Sequence, residues 1–134
     1  MDLKQQVILC LEALSAIRPS ANRAGLSTSY EDAYDEWETV VPAIYSSFVL
    51  MPYCETAGRE SVDQFRRLGF DRDGRASHAV LVEADGRDWF IFDIACGEDG
   101  EMRLVLRPVA GSGDPRERLV APERCSGFRV GRIG

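Results

Sequence analysis

Two periodicities divide this chain. From residue 3 to 17 the apolar positions Leu3, Val7, Cys10, Leu11, Leu14 and Ile17 recur every three or four residues, the spacing of one helical face. Pro19 is expected to end that helix, and Arg18–Ser27, rich in Ser, Asn, Gly and Pro, reads as a loop. Thr28-x-x-Glu31 matches a capping box and opens a second helix, with Tyr30, Tyr34, Trp37 and Val41 at helical spacing. Pro42 either kinks that helix or starts a new one over Ala43–Leu50. Ser61-x-x-Gln64 is another capping-box match, followed by Val62, Phe65 and Leu68, with Gly69 as the stop.

After Gly69 the period drops towards two. Asp71-Arg-Asp-Gly74 is a turn. SHAVLVEA and RDWFIFDI then flank Asp85-Gly86, the strongest short-range signal of a hairpin with a two-residue turn. Counting outward, Ala84 faces Arg87, Val82 faces Trp89, Val80 faces Ile91 and His78 faces Asp93. Gly97–Gly100 connects to Met102–Val109, where Met102, Leu104 and Leu106 alternate with Arg103 and Arg107 as on a half-buried strand. Ala110–Arg118 reads as a loop, and Phe128–Ile133 as a last short strand. Helices first and strands second predict an α+β fold: N-terminal helices packed on a C-terminal antiparallel β-meander. The expected organisation is a single domain over 1–134, helical in 1–69 and β in 70–134.

The chain has 134 residues, 45% of them hydrophobic and 28% charged, enough for one modest core. Its net charge of −6 disfavours direct binding of nucleic acid, which needs a basic surface. The acidity is uneven. Residues 1–60 hold nine acids and four bases, whereas 61–134 hold thirteen and twelve. No secretory pattern opens the sequence, since Glu12 interrupts the apolar part of Val7–Ile17, and no apolar run is long enough to span a bilayer. A cytoplasmic location is expected, with Cys10, Cys54, Cys96 and Cys125 as reduced thiols; a secreted protein with two disulfides is the alternative. The cysteines are irregularly spaced with no C-x-x-C, so neither a zinc site nor any other cofactor is expected.

The hairpin carries the only histidine of the chain. Side chains directly opposed across antiparallel strands have Cβ atoms roughly 5 Å apart, within reach of a His–carboxylate hydrogen bond. A carboxylate that orients an imidazole is half of a nucleophilic triad. Ser77-His-Ala-Val80, Asp85-Gly86, Trp89-Phe-Ile-Phe-Asp93 and Gly97-Glu98 together resemble the second half of the papain-like fold. The likeness is to effector-type cysteine peptidases, toxin glutamine deamidases and the transglutaminase-like branch. Ile94-Ala95 stands where those peptidases usually carry Pro-Asn, and no Gly-x-Cys surrounds a cysteine here.

The resemblance implies a cysteine before His78, either Cys10 or Cys54. A nucleophilic thiol is best placed at a helix N-terminus, where the dipole and free N–H groups favour thiolate. Cys10 falls within an apolar helical face and reads as core. Cys54 follows Pro52-Tyr53 ahead of the segment that ends Phe65-Arg-Arg-Leu-Gly-Phe70, so it is the expected nucleophile, with Cys96 at the hairpin end ranked behind. In this reading Cys54 attacks an acyl carbon of a peptide or glutamine side chain, His78 acts as base and then acid, and Asp93 orients it.

The acidic run at Glu31, Asp32, Asp35, Glu36 and Glu38 points elsewhere. Such a run is ordinarily the solvated face of a helix. With Tyr34 and Trp37 interleaved it also suits docking onto a basic protein, as immunity proteins and inhibitors of nucleic-acid-binding partners do. Thus Glu31, Asp32, Tyr34, Asp35, Trp37 and Glu38 form the candidate partner face of a second reading, a non-enzymatic acidic binding protein.

Overall fold

A computed structural model describes residues 2–23, 40–57, 78–96, 99–109 and 117–133, and within these all side chains except those of 17–23, 54, 56 and 57. Residues 28–39 of the expected second helix, with its acidic run, and the Ser61–Gly69 helix lie outside the described residues.

Helix α1 spans Leu3–Arg23. Asp2 caps it, its Oδ1 accepting the Gln5 N–H at 2.9 Å. Val7, Cys10, Leu11 and Leu14 are buried on the predicted face. The helix runs through Pro19 instead of stopping there. Proline forfeits one i→i−4 hydrogen bond, but its fixed φ is itself helical, so the backbone can continue. Residues 40–45 are helical and lead into a π-helical turn, Ser46–Leu50, where the Met51 N–H reaches back five residues to the Ser46 carbonyl. Helix α2, Met51–Ala57, follows without a break. Pro42 therefore does not end this helical run, whose start lies outside the described residues. The wide turn sits directly ahead of Pro52, which has no N–H to return to the preceding turn. Val41, Tyr45 and Val49 recur four apart and are all buried.

The strands are β1 (His78–Ala84), β2 (Arg87–Cys96), β3 (Met102–Pro108), β4 (Arg118–Val120) and β5 (Ser126–Arg132). They form one antiparallel sheet in the order β4-β3-β2-β1-β5. The β1–β2 turn is the two-residue kind predicted. Asp85 and Gly86 have φ of 53° and 74°, and Ala84 pairs with Arg87 and Val82 with Trp89. Glycine takes such a φ without the Cβ clash that other residues meet.

β5 lies beside β1, whereas its chain neighbour β4 is at the far edge. Only residues 121–125, including the 3-10 turn Pro122–Arg124, join the two. Crossing a flat five-stranded sheet takes roughly 19 Å, nearly all that six peptide steps can span fully extended. A 3-10 turn shortens that reach, so the sheet must be coiled. Packing agrees: Val80, Val82, Trp89, Ile91, Leu104, Leu106, Val120, Phe128 and Val130, drawn from all five strands, join one core with α1 and the residues around the π-turn. A smaller cluster of Ala79, Leu81, Phe90 and Ile133, with Phe92 and Val109 against it, occupies the other face. The expected α+β class and its order of helices before strands are what the structure shows.

Candidate functional site

His78 opens β1 and is buried at 9% exposure. Along β1, Val80, Val82 and Ala84 point into the main core and Ala79 and Leu81 into the outer cluster. Alternation places His78 on the inner row. Asp93 falls on the other one. Ile91 pairs with Leu106, but Asp93 pairs with Val105, so β2 holds one extra residue, a bulge at Phe92. Beyond the bulge it is Ile94, opposite Leu104, and Cys96, opposite Met102, that continue the inner row. The β1–β2 pairs run from Ala84↔Arg87 to Leu81↔Phe90 and stop short of it. The counted opposition of His78 and Asp93 is thereby corrected: an extra residue turns the second half of β2 over. Neither side chain is without interactions, and the Asp93 Oδ1 accepts the Ile94 N–H at 2.7 Å.

Cys54 lies in α2, well inside the helical run over 40–57 rather than at its head, so the expected helix-start setting is also corrected; its side chain is outside the described residues. The remaining cysteines are free thiols. Cys10 is fully buried, and desolvation pushes its thiol up to about 12. Desolvation also raises Cys125, whose Sγ lies 3.8 Å from the Ala121 carbonyl oxygen. Both are held as inert thiols. Cys96 is half-buried at the end of β2. Among the described residues no group of three or more His, Cys, Asp or Glu side chains is placed to hold a metal ion. No described helix is long and apolar enough to cross a membrane.

A second site emerges where α1 crosses the end of the sheet. Ile8, Leu11, Glu12 and Ser15 lie at i, i+3, i+4 and i+7 and form one stripe of the helix. Glu101, Met102 and Arg103, entering β3, and Ala121, Pro122 and Glu123, at the 3-10 turn, face that stripe across a groove of about 500 Å³. Glu12, Glu101 and Glu123 are exposed. Asp99, in the turn before β3, grips Arg103 through two bonds, Nη1–Oδ1 at 2.8 Å and Nη2–Oδ2 at 2.6 Å. Held by this guanidinium and by the Glu101 N–H, its carboxyl drops to about 2. The described lining thus sets buried Leu11, Met102 and Pro122 beside three exposed carboxylates, and neither His78 nor Asp93 is part of it.

Sequence reading missed this groove because its walls come from three distant segments. Glu12 reads there only as a break in an apolar helix, and nothing in the sequence pattern singles out Glu101 or Glu123. The one usable signal is the polar pair Glu12 and Ser15 flanking the buried stripe of α1. No family model matches the chain, and neither the curated proteins nor the solved structures yield a significant match.

Proposed function

We propose that this chain is a non-enzymatic acidic binding domain, of the kind formed by immunity proteins and inhibitors, that receives a basic protein partner. The groove under α1 carries this reading: buried Leu11, Met102 and Pro122 beside three exposed glutamates, on a chain of net charge −6. Low-dielectric walls beside like charges concentrate the field, which raises encounter rates with a cation-rich surface. The free thiols Cys10, Cys96 and Cys125 fit a reducing, cytoplasmic setting.

The test is affinity capture on the immobilised chain, followed by association kinetics of the captured partner in low and high salt. A basic partner whose association slows with salt supports the reading, because screening acts on charge and not on apolar contact. Capture of no basic partner, or an association indifferent to salt, overturns it.

The competing reading, thiol acyl transfer by Cys54, His78 and Asp93, draws support from the burial of His78 on the inner row of the sheet. The opposite facing of Asp93 weighs against it. Its own test is the alkylation rate of Cys54 against pH in the wild type and in His78→Ala. A rate already high below pH 8 and lost in the variant returns the weight to an enzyme.

A further inference from the structure

We infer that the groove takes a short extended segment of the basic partner, with one apolar side chain on the floor between two lysines or arginines. This rests on the binding reading above and names the occupant of its site.

The dimensions set the length of that segment. Ile8 to Ser15 covers seven residues of helix, about 10 Å along the axis. An extended chain crosses that in about three residues. A volume of about 500 Å³ is that of an ordinary ligand cleft, enough to seat a large side chain. The side chains of the described lining that are buried, Leu11, Met102 and Pro122, are all apolar, so an apolar side chain is favoured against them.

Charge selects the flanks. Glu12 stands on the helical wall and Glu101 and Glu123 on the sheet wall, so cations on both sides of the central residue meet carboxylates. Arg103, the one cation among the described lining residues, is already matched by Asp99 in a two-bond pair. An anionic segment meets three carboxylates with no spare base among the described lining residues, and is disfavoured.

The probe is a fluorescein-labelled peptide of repeated lysine–leucine–lysine triplets, followed by anisotropy on the full chain. The controls are lysine–serine–lysine and glutamate–leucine–glutamate peptides of the same length. The first peptide is expected to bind and both controls to bind on the order of tenfold more weakly or worse, as loss of the anchor or of complementary charge demands. Glu12→Lys with Glu123→Lys is expected to weaken the first peptide by about tenfold or more and flatten its salt dependence. Glu12→Gln with Glu123→Gln, neutral and close in size, gives a smaller loss and guards against a reversal that disturbs folding, which circular dichroism checks. Glu55→Gln, at an exposed carboxylate outside the described lining, leaves binding unchanged.

Equal binding of the lysine–serine peptide overturns the apolar anchor. Binding that survives the groove variants and is lost in Asp35→Lys with Glu38→Lys overturns the groove while the binding reading stands. If neither this peptide nor any basic partner from the capture experiment binds the wild type, both fall together.

Discussion

Trp89 uses its single polar atom inside its own hairpin. The indole Nε1–H donates to the Ala84 carbonyl at 2.9 Å, with the ring 1% exposed in the core. Trp89→Phe keeps an aromatic ring but removes that hydrogen bond, so it is expected to cost about 0.5–1.5 kcal/mol in urea unfolding. A loss well under 0.5 kcal/mol contradicts the assignment. Cys10 makes a pH-dependent contribution. Burial holds its thiol up at about 12, against an ordinary 9.0. Between those values the unfolded chain has released a proton that the folded chain keeps. This contribution is therefore whole below pH 9 and is lost as pH rises towards 12, at no more than about 1.4 kcal/mol per pH unit. Tyr45, fully desolvated and beside Cys10, is raised too and acts in the same direction from its ordinary value of 10.0 upward. Urea unfolding between pH 8 and 11 is expected to show declining stability, with a shallower decline in Cys10→Ala. In native protein at pH 8, alkylation is expected to spare Cys10 and Cys125 until denaturant is added, as peptide mapping would show.

At the scale of elements, bulges govern the strands on both sides of β1. In β5 the pairing with β1 slips by one between Leu81↔Arg129 and Glu83↔Ser126, and Gly127 there has a φ of 61°. A Cβ at that position meets the Glu83 side chain at 3.2 Å as well as the left-handed backbone penalty. Gly127→Ala is expected to lower stability by about 1 kcal/mol or more, read from the denaturation midpoint. The hairpin turn and its first four pairs were legible in the sequence because Asp85-Gly86 admits few other geometries. The bulge at Phe92 was not. Nothing in RDWFIFDI marks an extra residue; it is defined by the partner strand, where Val105 and Leu106 meet residues two apart on β2. Pro19 misled for a related reason: a local cost was read as a stop, though the packed helix carries on.

For the whole molecule, the order of helices before strands and most of the inner core followed from periodicity alone. The return of β5 to pair with β1 did not, since strand neighbours far apart in sequence leave no local trace. The groove was invisible for the same reason. Ion pairs across strands add little to stability. Asp85 with Arg118, Asp88 with Arg129 and Glu117 with Arg107 are all solvent-facing, where such pairs are worth roughly 0–1 kcal/mol each. Raising ionic strength is accordingly expected to shift the thermal midpoint little while slowing association with a basic partner strongly. A large loss of stability on adding salt would show that surface pairing, and not the core, holds the sheet.

The extra residue in β2 also bears on how such a chain tolerates change over generations. Point substitutions at Phe92 alter one half-buried side chain. Removing that codon heals the strand: Asp93 then follows Ile91 directly, the pairs Asp93↔Val105 and Ile94↔Leu104 stand, and Ile94 and Cys96 keep the inner row. Descendants of this sequence are expected to vary in residue type at position 92 and also to lose that residue, so that the shared inner face of Trp89 and Ile94 outlasts the spacing between them.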